Sequence, residues 1–232
     1  MPDDLLLSRD EVRWIDQIAV EELGITGLML MENAARGVCD RILRMREIRE
    51  IHIVCGPGNN GGDGFALARL LQAVGADPHV WLVPAGKPLT HDADVNRNIL
   101  TAAGGTVRDA GGAADIVPAF ADLGPNDLIV DCLLGTGVRG AVRNPFAEVI
   151  EAVNSTDACV LAVDVPSGLD CESGTADGVC IRADLTVTFV GIKKGFAAPG
   201  ADRFTGPVET AHIGLPAAWV RRRLASYRAD GV

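Results

Sequence analysis

Aromatic residues are scarce: six Phe, three Trp and one Tyr, 4% of 232 residues. Proteins that grip single-stranded nucleic acid stack bases on aromatic rings, so that class is disfavoured. Positive charge is also short. Lys and Arg number 21 against 31 Asp and Glu, a net charge of −10. A protein that reads a phosphate backbone needs a basic face, so no nucleic-acid partner is expected. No two of the six cysteines (Cys39, Cys55, Cys132, Cys159, Cys171 and Cys180) stand in C-x-x-C spacing, which leaves zinc and dithiol redox motifs without support. The start, Met1-Pro2-Asp3-Asp4, lacks the basic region of a secretory signal. No run approaches the ~18 apolar residues of a membrane span. The expectation is a cytoplasmic protein with no membrane partner and mostly buried free thiols.

What is present is aliphatic. Apolar residues make up 48% of the chain, and 27 residues are Gly. A core of Val, Ile, Leu and Ala suits buried parallel strands under helices. The glycines are expected in loops, because Gly inside a helix costs about 1 kcal/mol. Ser8-Arg9-Asp10-Glu11 has the form of a capping box opening a first helix, and a second is expected over about 26–45. Strands are expected at Ile51–Cys55, His79–Val83, Leu128–Cys132, Cys159–Val163, Leu185–Val190 and Pro207–Ala211. Helical patterns lie between them, near Asp92–Ala102, Ala113–Ala121 and Pro145–Val153, and the Arg221–Arg223 tail reads as a solvated terminal helix. The alternation implies βαβ units, a mainly parallel sheet with helices on both faces, and one α/β domain over 1–232.

Ligands of such sheets bind beyond the carboxyl ends of the strands. Three loops there are rich in Gly and polar groups. The first, 56–64, contains Gly56-x-Gly58-x-x-Gly61, a dinucleotide fingerprint in form. The following strand ends Leu82-Val83-Pro84-Ala85 without the ribose-binding acid, which disfavours an ordinary dehydrogenase. The turn can still offer backbone N–H groups to a phosphate. The plainer alternative is a tight turn with Asp63 as helix N-cap. The second loop runs from Asp131 through Gly135-Thr136-Gly137 to Arg139 and Gly140; Arg139 is a candidate phosphate contact, and the plainer alternative is a flexible connection with Asp131 as a buried hydrogen-bond acceptor. The third is Val163-Asp164-Val165-Pro166-Ser167-Gly168, with Asp164 aimed into the crevice. Ser167 lacks the glycine of a nucleophile elbow, and none of the four His lies in these loops, so a hydrolase triad is not expected. Asn60, Asp131 and Ser167 are hard oxygen donors of the kind that suit a hard cation.

These three motifs, with Leu30-Met31-Glu32-Asn33-Ala34 upstream and Lys193…Gly195 and Ile213-Gly214-Leu215-Pro216 downstream, resemble the NAD(P)H-hydrate epimerase family of the YjeF N-terminal type. The resemblance runs from about residue 8 to 217. It implies a Rossmann-like three-layer α/β/α fold, a homodimer and an isomerase of metabolite repair. Such enzymes interconvert the R and S epimers of hydrated NADH or NADPH at C6 of the nicotinamide ring. A separate ADP- or ATP-dependent dehydratase then restores the cofactor. The resemblance further implies that Asn59, Asn60, Gly61, Gly62 and Asp63, and Gly135, Thr136, Gly137, Val138, Arg139, Gly140 and Ala141, line the substrate, with Asp164 touching it. Asn60, Asp131 and Ser167 match the ligands of a potassium ion. Loss of a C6 hydroxyl leaves an iminium-like cation, which calls for a carboxylate as proton carrier and counter-charge. Asp164 is the first candidate for that acid–base and Asp63 the second; Lys193 is a candidate substrate contact. Asp164→Ala is expected to remove activity and leave the fold. The chain departs from the usual Asn-Ala-Gly with Asn33-Ala34-Ala35, and ends without the fused dehydratase domain of many relatives. The alternatives are a non-catalytic nucleotide-binding or scaffolding module on the same fold, which would be expected to lose the acids, or another enzyme using a nucleotide-like ligand.

Overall fold

A computed structural model describes residues 5–45 and 47–229. The chain enters through a short strand β1 (Leu6–Leu7) and helices α1 (Arg9–Leu23) and α2 (Gly27–Ile42). The alternating part follows as β2 (Ile51–Cys55), α3 (Asn59–Ala73), β3 (His79–Leu82), α4 (His91–Ala102), β4 (Val107–Asp109), α5 (Ala113–Phe120), β5 (Leu128–Cys132), α6 (Phe146–Asn154) and β6 (Cys159–Val163). It closes with β7 (Leu185–Phe189), β8 (Ile192–Lys193), the single turn α7 (Asp202–Thr205), β9 (Val208–Ala211) and α8 (Ala217–Ala229).

Seven strands form one parallel sheet in the order β4-β3-β2-β5-β6-β7-β9, and β1 pairs with β8 beside it. Side chains alternate across each strand and sort into two cores. Ile53, Val130, Leu161 and Val187 face α1, α2, α3 and α8, while Val54, Ile129, Val160 and Ala162 face α5 and α6. This is the expected three-layer α/β/α arrangement. The expected strands and helices are found within a few residues of their bounds. The capping box forms as expected: Glu11 N donates to Ser8 Oγ at 3.1 Å, and Ser8 N to Glu11 Oε2 at 2.7 Å. The edge strand β4 was missed, because only Val107 of its three residues is even partly covered. The terminal helix is solvated on one side only, and Trp219, Val220 and Leu224 are buried.

Two expectations need correction at the first glycine-rich loop. The loop is short: α3 begins at Asn59, with Gly58 as N-cap, so Asp63 lies inside the helix and caps nothing. Glycine is therefore helical here, against its propensity. Close packing is the reason. A Cβ on Gly61 would sit 1.9 Å from the carbonyl oxygen of Gly56, and one on Gly64 would sit 2.6 Å from Cys55 Sγ. The helix can approach the ends of β2 and β5 only where those side chains are missing.

Candidate active site

The chain starts the sheet at β2, runs outward to β4, then crosses back to β5 on the other side of β2. The carboxyl ends of β2 and β5 are thus the topological switch point, where an open α/β sheet leaves a crevice. A cleft of about 790 Å³ opens there. Its floor is Pro57, Gly58, Asn59, Asn60 and Asp63 after β2, Leu133–Gly137 after β5, Asp164 after β6, and Phe189 and Val190 at the end of β7. One face of α1, carrying Val12, Arg13, Asp16, Gln17 and Val20, walls it, and Lys87 and Asp92 stand at the β3–α4 side.

Asp164 sits where β6 ends, as expected, and in the left-handed region, which few residues other than glycine enter. Its φ is +65°, and Val190, beside it at the end of β7, has φ +66°. A β-branched residue in the left-handed region is a strained backbone, of the kind found around ligand sites. Asp164 Oδ1 receives Lys193 Nζ at 2.6 Å and Thr188 Oγ1 at 3.2 Å. Lys193 is fully buried, and its ammonium also donates to Thr188 Oγ1 and the Phe189 carbonyl at 2.9 and 3.0 Å. Lys193 lies behind Asp164 and not on the cleft wall. It holds the acid in place. Asp164→Ala would strand a buried ammonium, so this contact adds a cost in stability that the sequence does not show.

Two further carboxyls line the cleft. Burial pushes Asp63 well above the usual carboxylate range, and the charges of Asp164 and Asp16 push it further. Burial likewise raises Asp16 to about 7, with Asp164 adding and Lys193 opposing. Asp16 was missed in the sequence. The only signal was an acid on α1 between Val12 and Val20 at helical spacing, flanking the buried Ile15 and Ala19.

Asn60, Asp131 and Ser167 come together as expected. Asp131 and Ser167 are buried; Ser167 Oγ donates to Asp131 Oδ1 at 2.6 Å and Ser167 N to Oδ2 at 2.7 Å. Asn60 Nδ2 donates to the Leu134 carbonyl at 2.9 Å, which leaves Asn60 Oδ1 buried without a partner. An orphaned carbonyl oxygen beside a buried carboxylate and a hydroxyl fits a hard cation. A second group of ligating atoms, Glu50, His52 and His79, lies at the other ends of β2 and β3. Trp81 Nε1 donates to His52 Nδ1 at 3.3 Å, so the neutral ring carries its proton on Nε2, facing Glu50 Oε2 at 3.4 Å. That histidine is satisfied within the core and takes no part in the cleft.

Of the expected substrate residues, Asn59, Asn60, Asp63, Gly135, Thr136, Gly137 and Asp164 reach the cleft. Gly61 and Gly62 lie beneath it, packed on Gly56 and Met31, and Val138, Arg139, Gly140 and Ala141 run on outside. The basic groups on the wall are Arg13 and Lys87. The loop after β5 is fixed by Arg9, a nearly buried residue of α1. Its Nε donates to Thr136 O at 2.5 Å, its Nη2 to Val138 O at 2.8 Å, and it pairs with Asp170 at 3.1 Å. Asn33 of α2 donates to the Ile213 carbonyl at 3.1 Å, and Ala35 after it is buried in the core, away from the cleft wall.

A family profile described as "YjeF-related protein N-terminus" matches residues 27–195. A Rhodopirellula baltica protein named NAD(P)H-hydrate epimerase is 39% identical over 213 residues, which span 91% of this chain and 85% of the relative. A Pirellula staleyi protein of the same name is 38% identical over 213 residues, 92% of this chain and 94% of the relative. A Pyrobaculum aerophilum protein named bifunctional NAD(P)H-hydrate repair enzyme is 41% identical over 84% of this chain, but only 39% of that protein is covered. Among solved structures, yeast ynu0 superposes with a TM-score of 0.72 at 23% identity, covering 90% of this chain and 87% of the other, a likeness of fold.

Proposed function

The chain belongs to the family of YjeF-related protein N-termini, and from that membership we infer that it is an NAD(P)H-hydrate epimerase, an isomerase of NAD(P)H repair. The observation that carries the chemistry is the acid group at the switch point. Asp63 and Asp164 line one cleft, one raised toward its protonated form and the other paired with a buried lysine. Epimerisation at C6 requires the hydroxyl to leave and water to return on the other face. Asp63, which burial and the neighbouring acids push toward its protonated form, gives its proton to the departing hydroxyl. Asp164, an ion-paired carboxylate, presents negative charge to the iminium-like ring that results. These roles reverse the order of candidates taken from the sequence. Arg13 and Lys87 are the basic groups available to the pyrophosphate, and the α3 N-terminus adds its backbone N–H groups.

A potassium ion would be held by Asn60, Asp131 and Ser167. When bound it offsets negative charge and ties the loops after β2, β5 and β6 to one another. The homodimer and the separate dehydratase belong to the same proposal and rest on the family resemblance. The scaffolding alternative is disfavoured because the cleft keeps unpaired acids that a packing role does not need. The test replaces each acid with its amide. Asp63→Asn and Asp164→Asn, both folded, are expected to slow R-to-S conversion by at least ~100-fold, the usual contribution of acid–base catalysis. Conversion at the wild-type rate by either variant removes that residue's role.

A further inference from the structure

Epimerisation is symmetrical, and one acid on one wall does not serve both faces of a flat ring. We propose that Asp16 is a second catalytic acid–base, serving the ring face opposite to the one served by Asp63. The proposal rests on the epimerase reading above and names a residue that the sequence motifs did not single out.

Three observations carry it. Asp16 and Asp63 line the same cleft from different elements, Asp16 on the α1 wall and Asp63 on the floor at the start of α3. Neither carboxyl makes a hydrogen bond or ion pair among the described residues, although Glu11, Asp127 and Asp170 each hold an arginine. Asp16 also sits on the cleft face of α1 between Val12 and Val20, beside the buried stripe of Ile15, Ile18 and Ala19 that packs the helix on the core. A half-buried acid that the fold neither pairs nor needs is a candidate for chemistry. The charged groups acting on Asp16 are Asp164 and Lys193, with Asp63, Arg13 and Asp92 on the same cleft. The charge of Asp16 acts in turn on Asp63, so an ionised Asp16 favours the proton on Asp63.

The step balances. The protonated carboxyl gives its proton to the C6 hydroxyl. The C6–O bond breaks, water leaves, and the N1 electron pair forms the C6–N1 double bond. Water then adds to C6 from the other face and gives a proton to the second carboxylate, while N1 regains its pair. The proton has moved from one aspartate to the other, and the reverse reaction returns it.

The test uses R and S substrates carrying ¹⁸O in the C6 hydroxyl, each followed by NMR and mass spectrometry against buffer. Wild type should invert both epimers and exchange the label from both. Asp16→Asn should lose inversion by at least ~100-fold yet still exchange label, without inversion, from one epimer only. Asp63→Asn should show the same pattern for the other epimer. A merely structural residue would not give an epimer-selective exchange, and a thermal melt confirms that each variant is folded. Inversion by Asp16→Asn within about threefold of wild type, or equal loss of exchange from both epimers in both variants, overturns the proposal. If Asp16→Asn does not fold, the one-epimer exchange expected of Asp63→Asn decides alone. If wild type does not outpace buffer, the epimerase reading itself fails.

Discussion

Arg9 offers the sharpest link between the fold and the cleft. It is 4% exposed and spans from α1 to the loop after β5, where it holds two carbonyls, and to Asp170 in the loop after β6. Gly135, Thr136 and Gly137 of that loop form part of the cleft floor. Arg9→Met keeps most of the side-chain bulk and removes the donors. Each hydrogen bond from a charged group contributes about 1.5–3 kcal/mol, and a carbonyl left unpaired costs a similar amount. The Asp170 carboxylate is partly exposed and adds less. The loss is then about 3–5 kcal/mol, as for other broken buried pairs. For a chain of this length 1 kcal/mol moves the melting point by about 2–4 °C, so a drop on the order of 10 °C is expected. A loop freed of its anchor must be ordered again by substrate, so KM should rise about tenfold for each ~1.4 kcal/mol of ordering, with kcat less affected. Arg9→Lys should recover little, because an ammonium does not reproduce the planar fork on two carbonyls. Calorimetry and steady-state kinetics decide it. A melting point within about 2 °C of wild type, together with an unchanged KM, would refute the anchoring role.

Asp164→Ala should lower stability by about 3–5 kcal/mol because it leaves Lys193 buried and unpaired, and Asp164→Ala/Lys193→Met should recover much of that; equal melting of the single and double variants would contradict the pairing. Potassium should raise the melting point above lithium at equal ionic strength, and Asn60→Leu should abolish the difference; an identical melt in both salts would remove the ion site. Asp16 and Asp63 bind protons more tightly folded than unfolded. Their contribution to stability is full below the ordinary carboxylate value of 3.8 and is lost as pH rises, for Asp16 through about 7. Asp16→Asn should therefore raise the melting point more at pH 8 than at pH 5, and a pH-independent change would show that the carboxyl is not raised.

The sheet was legible because its strands are buried on both faces and read as short apolar runs between glycine-rich turns, as in Leu128–Cys132 and Cys159–Val163. β4 was not, since two of its three residues face solvent. The start of α3 was misread because glycine propensity points to a loop. What decides there is close packing: a Cβ on Gly61 would sit 1.9 Å from the Gly56 carbonyl oxygen and one on Gly64 would sit 3.0 Å from Cys132 Cβ of β5, and helix propensity carries neither contact. The cleft loops were visible as motifs, but the assignment of roles among their acids was not. That depends on Lys193, which comes from 29 residues beyond Asp164 and looks like any surface lysine until β7 and β8 bring it inward. Asp16 and Arg9 lie outside every glycine-rich loop. They enter the site only because α1 packs across the carboxyl ends of the strands.

In the proposed reaction this cleft inverts C6 of hydrated nicotinamide cofactors with its own carboxyls. The most direct measurement follows R-to-S conversion of purified NADHX and NADPHX by proton NMR, with protein and with buffer alone, and no dehydratase present. A large acceleration over buffer is expected for at least one of the two substrates, lost in Asp63→Asn. A rate equal to buffer for both would contradict it.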